Sequence, residues 1–232
     1  MNKDHLDFEN FTELRGLCWD TGMLNRMNQR ALRVFPDEFD LTSNKKILDL
    51  GARDARWSWA ALQLGASEVV GIESRYDSYE NDNFTSYKPP NFKMLIGDAF
   101  SEIEKLVSSG ERFDTVMCLG FYYHIYDHYG LLRRLRQLEA KYVIIDSEFD
   151  NIVEPQVRIR KEDITHPNNA SEEEYFRTHS VVGNLSVGGM NLIADILGYE
   201  TNWQDWDNLN EKIGCDDYVE KTRATCILKL KQ

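Results

Sequence analysis

Glu73 lies 22 residues after Gly51, and Gly51 opens a tight polar loop, "GARDAR". An acidic residue at that distance from a glycine turn suits a ribose, because one carboxylate accepts hydrogen bonds from both hydroxyls of the diol. Asp98 in "IGD" and Leu119–Gly120 in "MCLG" end two further apolar stretches. Just beyond them runs "GFYYHIYDH", with Tyr122, Tyr123, His124, Tyr126, Asp127 and His128. Histidine titrates near neutrality, so His124 is the best single candidate for a base or a substrate orienter. A structural histidine hydrogen-bonded beneath a pocket is the competing reading. The tyrosines could form an aromatic wall that attracts a cation, or could serve as packing. Asp146 and Glu148 follow another apolar run. A carboxylate there could orient an amine or accept a proton, although Glu148 could also sit in a solvated loop.

These residues must be positioned by an alternating series of elements. "KILDL" (46–50), "EVVGIE" (68–73), "NFKMLIGD" (91–98), "FDTVMCLG" (113–120) and "KYVIID" (141–146) read as strands. Between them lie helical patterns: Trp57, Ala60, Ala61 and Leu64; Ile103, Leu106 and Val107; Leu131, Leu135 and Leu138. Strands alternating with helices predict a Rossmann-like α/β sheet with helices on both faces. In such sheets ligands bind outside the carboxyl ends of the strands, near the switch point, where all four polar strand ends would fall. Residues 1–44 read as an N-terminal helical cover, too small for a core of its own, with Phe11, Leu14 and Cys18 on one face and Leu24, Met27, Ala31 and Val34 on another. Residues 147–185 read as polar and irregular, with 151–185 as a substrate lid. A helix is expected over 187–197 with Ser186 as its N-cap. "YETNWQDW" and "TRATCILKL" (222–230) predict an antiparallel C-terminal hairpin closing the sheet, so that 45–232 would form one domain.

Composition narrows the partners. The 232 residues carry a formal net charge of −12. An acidic surface repels phosphate backbones and anionic membranes, which disfavours nucleic acid as the main partner unless a local basic patch overrides it. Cys18, Cys118, Cys215 and Cys226 form no C-x-x-C pair, so buried reduced thiols in a cytoplasmic protein are the simplest account. No signal peptide or bilayer-length apolar run is visible. His124 and His128 have i, i+4 spacing but no clear third ligand accompanies them, so no metal is expected. Nothing in the sequence bears on oligomeric state.

Taken together, "ILDLGARDA", "VVGIE", "IGDAF" and "FDTVMCLGFYYHI" resemble the four motifs of the class I S-adenosylmethionine-dependent methyltransferases. The last stretch is similar to a branch with leucine, glycine, two variable residues and tyrosine-histidine after the fourth strand. That branch includes relatives of a tRNA wobble-uridine carboxymethyl transferase and many small-molecule methyltransferases. The resemblance covers roughly residues 45–150. It implies S-adenosyl-L-methionine as cofactor, with Asp49 and Gly51 shaping the loop around its methionine portion and Ala52 in the same loop. Glu73 would hold the ribose, Asp98 and the backbone at Ala99 would face the adenine, and Leu119 would line the pocket. Tyr123, His124 and Asp146 are then the candidate catalytic residues. Tyr122, Glu148 and Arg158 are the candidate substrate contacts, Arg158 because "VRIRK" (157–161) could grip an anion, unless it is a solvated strand edge. Trp19 and Met23 could close over the cofactor or simply pack.

The usual loop of this family carries three alternating glycines, and Arg53 and Ala55 stand at the second and third positions. A dinucleotide pyrophosphate needs bare backbone, whereas S-adenosylmethionine has no phosphate, so the demand is weaker. Arg53 could pair with the cofactor's carboxylate, or point to solvent beside a degenerate site. "GARDAR" lacks the G-x-G-x-x-G spacing, which disfavours a nicotinamide dehydrogenase. The leading expectation is methyl transfer to a small-molecule acceptor. The alternatives are a tRNA-modifying methyl- or carboxymethyl transferase and a non-catalytic cofactor-binding protein.

Overall fold

A computed structural model describes residues 6–75, 89–166, 168–170, 178–209 and 211–231. Helices α1 (Phe8–Arg15) and α2 (Thr21–Val34) lead into β1 (Lys46–Leu50), α3 (Arg56–Gln63), β2 (Glu68–Glu73) and β3 (Phe92–Ile96). Next come α4 (Ala99–Ser108), β4 (Thr115–Leu119), a 3₁₀ turn (Tyr122–His124), α5 (His128–Gln137) and β5 (Tyr142–Glu148). The chain ends with β6 (Val157–Asp163), β7 (His179–Leu185), α6 (Val187–Ile196), β8 (Tyr199–Trp203), the short α7 (Asp216–Val219) and β9 (Arg223–Leu230).

Seven strands form one sheet in the order β3-β2-β1-β4-β5-β9-β8. The first five are parallel, and β9 runs antiparallel between β5 and β8. Strand order reverses between β1 and β4, which opens a crevice at their carboxyl ends. The central strands are buried on both faces, so their sequences are nearly continuous apolar runs. Their side chains alternate in direction: Ile47, Val69, Met117 and Ile144 join α1, α2 and α3 on one face. Leu48, Leu50, Val70 and Val143 meet α4, α5 and α6 on the other.

Local signals set the element boundaries. Asp98 caps α4 by accepting from Ser101 N, and Ser186 caps α6 by accepting from Gly189 N. The antiparallel closing pair is present, although residues 204–222, with α7 among them, separate its strands. In the N-terminal cover Phe8, Phe11, Met27, Ala31 and Val34 are buried. Leu14 is exposed instead, because α1 turns Phe8, Phe11, Thr12 and Arg15 inward, and Cys18 is exposed because α1 ends at Arg15 with Gly16 in the left-handed region. The larger correction concerns 147–185. β5 continues through Glu148, and β6 pairs with β7 as a separate antiparallel ribbon. Its sequence hides it, because long charged residues on β6 occupy both faces while burial falls on Glu162, Val182 and Asn184.

Candidate functional site

A cavity of about 450 Å³ lies at the carboxyl ends of β1, β2 and β4. That volume is in the range of small-ligand sites. The loop after β1 forms one wall. Gly51, Arg53 and Ala55 all adopt positive φ, at 65°, 50° and 59°. These are the three positions where the resembled family carries glycine, so the glycine-rich loop shape persists with two side chains in it. At Gly51 space is also tight, since a Cβ would come within 3.1 Å of the Phe121 side chain. The loop is tied across the crevice by Ala52 N donating to Ile72 O (3.0 Å) and Arg53 N donating to Glu73 Oε2 (2.8 Å).

Glu73 is buried at the carboxyl end of β2, and Arg75 N donates to its other oxygen at 2.9 Å. Ser74 Oγ also lies 3.5 Å from that oxygen, at the outer limit of a hydrogen bond, so each carboxylate oxygen can still accept from a ligand. Asp98, Ala99 and Phe100 line the next part of the wall, and Leu119, Gly120 and Phe121 form the floor past β4. Asp49 does not line the cavity. It lies beneath the loop and accepts from Ser58 Oγ at 2.6 Å, which ties β1 to α3. Burial pushes its carboxyl up to about 7, against the Ser58 bond and with help from the nearby Asp54 charge.

The acceptor-side residues divide. Tyr123 and His124 line the cavity, and with Glu148 also a second, outer one bounded by β6. His124 Nδ1 lies 2.7 Å from Glu162 Oε2. Burial lowers the imidazole's pKa, outweighing the opposing pull of Glu162. Burial raises that of Glu162, but the Ala170 N–H, His124 and Arg160 outweigh it and hold the carboxyl low. Tyr122 turns away: it is fully buried, with its ring 4.6 Å from that of His128. It packs into the core and lines neither cavity. His128 opens α5 while His124 ends the 3₁₀ turn, so the two do not share a helix. Arg158 is also displaced, because β6 directs it outward to a surface ion pair with Asp150 at 2.7 Å. Arg160, two residues on and on the same face of β6, lies further along the strand and lines the outer cavity.

Asp146 requires the plainest correction. It is fully buried and lines neither cavity. Its carboxylate accepts from Arg30 Nη2 (2.9 Å), Arg223 Nε (2.8 Å), Thr225 Oγ1 (2.7 Å) and Tyr218 Oη (2.8 Å). Burial opposes its ionisation, but the two guanidiniums and these hydrogen bonds hold the carboxyl far below its ordinary range. Such a group locks α2 and α7 to the end of the sheet, and every donor that converges on it favours the ionised form.

Several residues that sequence reasoning missed also line the site: Arg26, Arg30, Arg56, Arg75 and Arg223. Met23 reaches the cavity as well, while Trp19 stays outside it, stacked on Phe8 and beneath Arg56. In an acidic protein this is a local concentration of guanidinium groups. No sequence signal pairs Arg30 with Asp146 across 116 residues, half the chain. Arg53 Nη2 donates to Asn168 Oδ1 at 2.7 Å, so its side chain bridges the cavity mouth. Among the described residues no cluster of three or more histidine, cysteine or acidic residues could hold a metal, and no helix is long and apolar enough to cross a membrane.

No family model matches the chain. It is 28% identical over 112 residues to a tRNA U34 carboxymethyltransferase of Campylobacter hominis, covering 47% of this chain and 36% of that protein. The corresponding protein of Trichodesmium erythraeum is 29% identical over 109 residues, or 45% of this chain and 31% of its own. The match thus spans about a third of each relative's length. Among solved structures, the N-terminal domain of EvdMO1, determined in the presence of SAH and D-fucose, superposes with a TM-score of 0.62 at 16% identity, covering 89% of this chain and 82% of that one. An S-adenosylmethionine-dependent methyltransferase from Mesorhizobium loti gives 0.59 at 13% identity, covering 87% and 96%. The sheet order, the left-handed loop after β1 and these superpositions agree: the chain has the fold of the class I S-adenosylmethionine-dependent methyltransferases.

Proposed function

We propose that this protein is an S-adenosylmethionine-dependent methyltransferase acting on a small molecule. The observation that carries the reading is the loop Gly51–Ala55, held in the three-glycine shape and hydrogen-bonded to Glu73. The residues present fit the cofactor. Each oxygen of Glu73 can accept from a ribose hydroxyl, the Ser74 contact to one of them being long, and Asp98 uses one oxygen as a helix cap, leaving the other for the adenine side. Trp57, Ile72, Ala99, Phe100 and Leu119 supply apolar wall. The cofactor supplies a methyl group on a positively charged sulfur, already activated for displacement. The chain's contribution is mainly positioning. His124 stands beside the floor residues Leu119 and Gly120 and is the candidate base. The four unpaired cysteines suit a reducing compartment such as the cytoplasm.

Calorimetric titration with S-adenosylmethionine and S-adenosylhomocysteine tests the reading. Micromolar binding that collapses in Glu73→Ala supports it. No binding of either ligand by well-folded protein sinks it. The names of the two curated relatives favour a second reading, a tRNA-modifying methyl- or carboxymethyl transferase. The −12 charge opposes it. Binding to tRNA that falls steeply with salt would move the assignment there. Cofactor binding without turnover on any acceptor would instead point to a non-catalytic binding protein. The positive-φ loop weakens that case, since the two substitutions leave the loop shape intact.

A further inference from the structure

Glu162 reaches the site from β6, and nothing about the four motifs anticipates it. It is 5% exposed and every contact it makes is to a donor. Oε2 accepts from His124 Nδ1 at 2.7 Å and from Ala170 N at 2.8 Å, and Oε1 accepts from Arg160 Nη1 at 2.8 Å. An ionised carboxylate can only accept, so Nδ1 must carry the imidazole proton. That leaves the Nε2 lone pair free, with no partner among the described residues, on a ring that lines both cavities. This is the arrangement of an oriented base: a neutral imidazole, one tautomer, and a counter-charge behind it for the imidazolium that forms on proton uptake.

The surroundings also select the nucleophile. Arg223 and Arg160 lie over the Tyr123 ring at 5.4 and 6.0 Å. A cationic amine would meet these guanidiniums at the ring where an aromatic wall should have received it. A hydroxyl that develops negative charge as it loses its proton would be stabilised by them.

The dyad also depends on the loop after β6. Arg75 Nη2 lies within 3.3 Å of four carbonyl oxygens, those of Ile164, His166, Asn169 and Ala170. Arg53 holds Asn168 in the same loop. The backbone N–H groups of these two arginines are the ones that grip Glu73. Ala170, in the same connection, donates to Glu162. One connected set of bonds thus runs from the Glu73 carboxylate to the His124 ring.

We propose that Glu162 is a positioning residue for His124, that the pair removes the proton from a hydroxyl acceptor, and that the pair is assembled only when the 164–170 loop is latched by Arg75. This rests on the methyltransferase reading above. The acceptor oxygen bonds to the methyl carbon as the carbon–sulfur bond breaks, with that bond's electron pair going to sulfur. The hydroxyl proton passes to His124 Nε2 and then to solvent.

The test is nitrogen-15 NMR of histidine-labelled protein, with and without S-adenosylhomocysteine, on wild type, Glu162→Gln and Arg75→Met. Calorimetry on the same samples reports cofactor-site integrity. We expect the Nδ1–H tautomer at His124 in wild type, a lower imidazole midpoint in Glu162→Gln, and loss of the single tautomer in Arg75→Met. For turnover of hydroxyl acceptors, Glu162→Gln should lower kcat with an unchanged cofactor Kd. An Nε2–H tautomer in wild type, or an unmoved midpoint in Glu162→Gln, overturns the positioning role. An unchanged tautomer in Arg75→Met overturns the latch. Failure of wild type to bind S-adenosylhomocysteine is a separate result, and it strikes the methyltransferase reading rather than the dyad geometry.

Discussion

The two sides of the cavity are built in different ways. On the loop side, the contacts that shape the wall are made by backbone donors within one strand–loop–helix–strand unit or one helix cap: Arg53 N and Arg75 N on Glu73, Ala52 N on Ile72 O, and Ser101 N on Asp98. On the acceptor side, contacts join side chains far apart in sequence: His124 with Glu162, Arg223 with Tyr123, and Arg30 and Arg223 with Asp146. A backbone-built wall tolerates unusual side chains, which is how arginine and alanine come to occupy glycine positions. A wall built from buried charges fails when one partner is changed.

The largest effect is expected at Asp146. Asp146→Ala leaves Arg30 and Arg223 buried against no carboxylate, and breaking such a pair costs about 3–5 kcal/mol. Urea denaturation should show it, and a loss under about 1 kcal/mol would mean the acceptor side is less interdependent than its contacts imply. Asp49 comes next and acts through pH. Its carboxyl titrates at about 7 in the fold against an ordinary 3.8. The folded state therefore holds the proton more tightly, and stability falls as pH rises from about 4 to about 7. The integrated cost is on the order of 4 kcal/mol. Asp49→Asn should flatten that slope in a series of melting temperatures across pH, with the variant gaining on wild type as pH rises.

Glu73→Ala should weaken S-adenosylhomocysteine binding on the order of 100-fold, the worth of two hydrogen bonds to a charged acceptor. Retained affinity would show that backbone alone holds the cofactor. The smallest effects sharpen the contrast from the other direction. Arg53→Gly and Ala55→Gly relieve left-handed strain of roughly 1 kcal/mol, offset in part by glycine's greater unfolded-state freedom. Ala55→Gly should leave stability unchanged or raise it by about 0.5 kcal/mol, Arg53→Gly should gain less because it also loses the bond to Asn168, and both should retain cofactor affinity. A marked loss of stability in either would mean these side chains support the loop they appear to strain.

Much of the loop side was legible because it is local. Apolar runs predicted the five parallel strands, and the interval from Gly51 to Glu73 reflects one strand–loop–helix–strand unit. The acceptor side was legible only in part. His124, Tyr123 and Glu148 could be placed because they follow strand ends. Tyr122 was misplaced because in a turn a one-residue step reverses the side chain's direction. Arg158 was misplaced because it sits two residues short of the cavity on the face of β6 that Arg160 shares, beside Asp150, and no local signal marks where along the ribbon the cavity begins. Asp146 was misread for another reason. Position at a strand end does not reveal that two arginines and two hydroxyls will converge on it.

The sequence by itself determined the strand–helix alternation, the antiparallel closure and the location of a ligand crevice at the strand ends. Periodicity and capping are local properties that each segment carries alone. Only the tertiary structure decided which ionisable groups are spent on holding the molecule together and which are left facing the cavity. Asp146 and Glu162 are both buried carboxylates beside arginines, and composition does not distinguish them. One is closed off by the elements packed around it, while the other stands behind an imidazole that faces the cavity. Packing brings those charges together, and desolvation at the meeting point fixes the role of each.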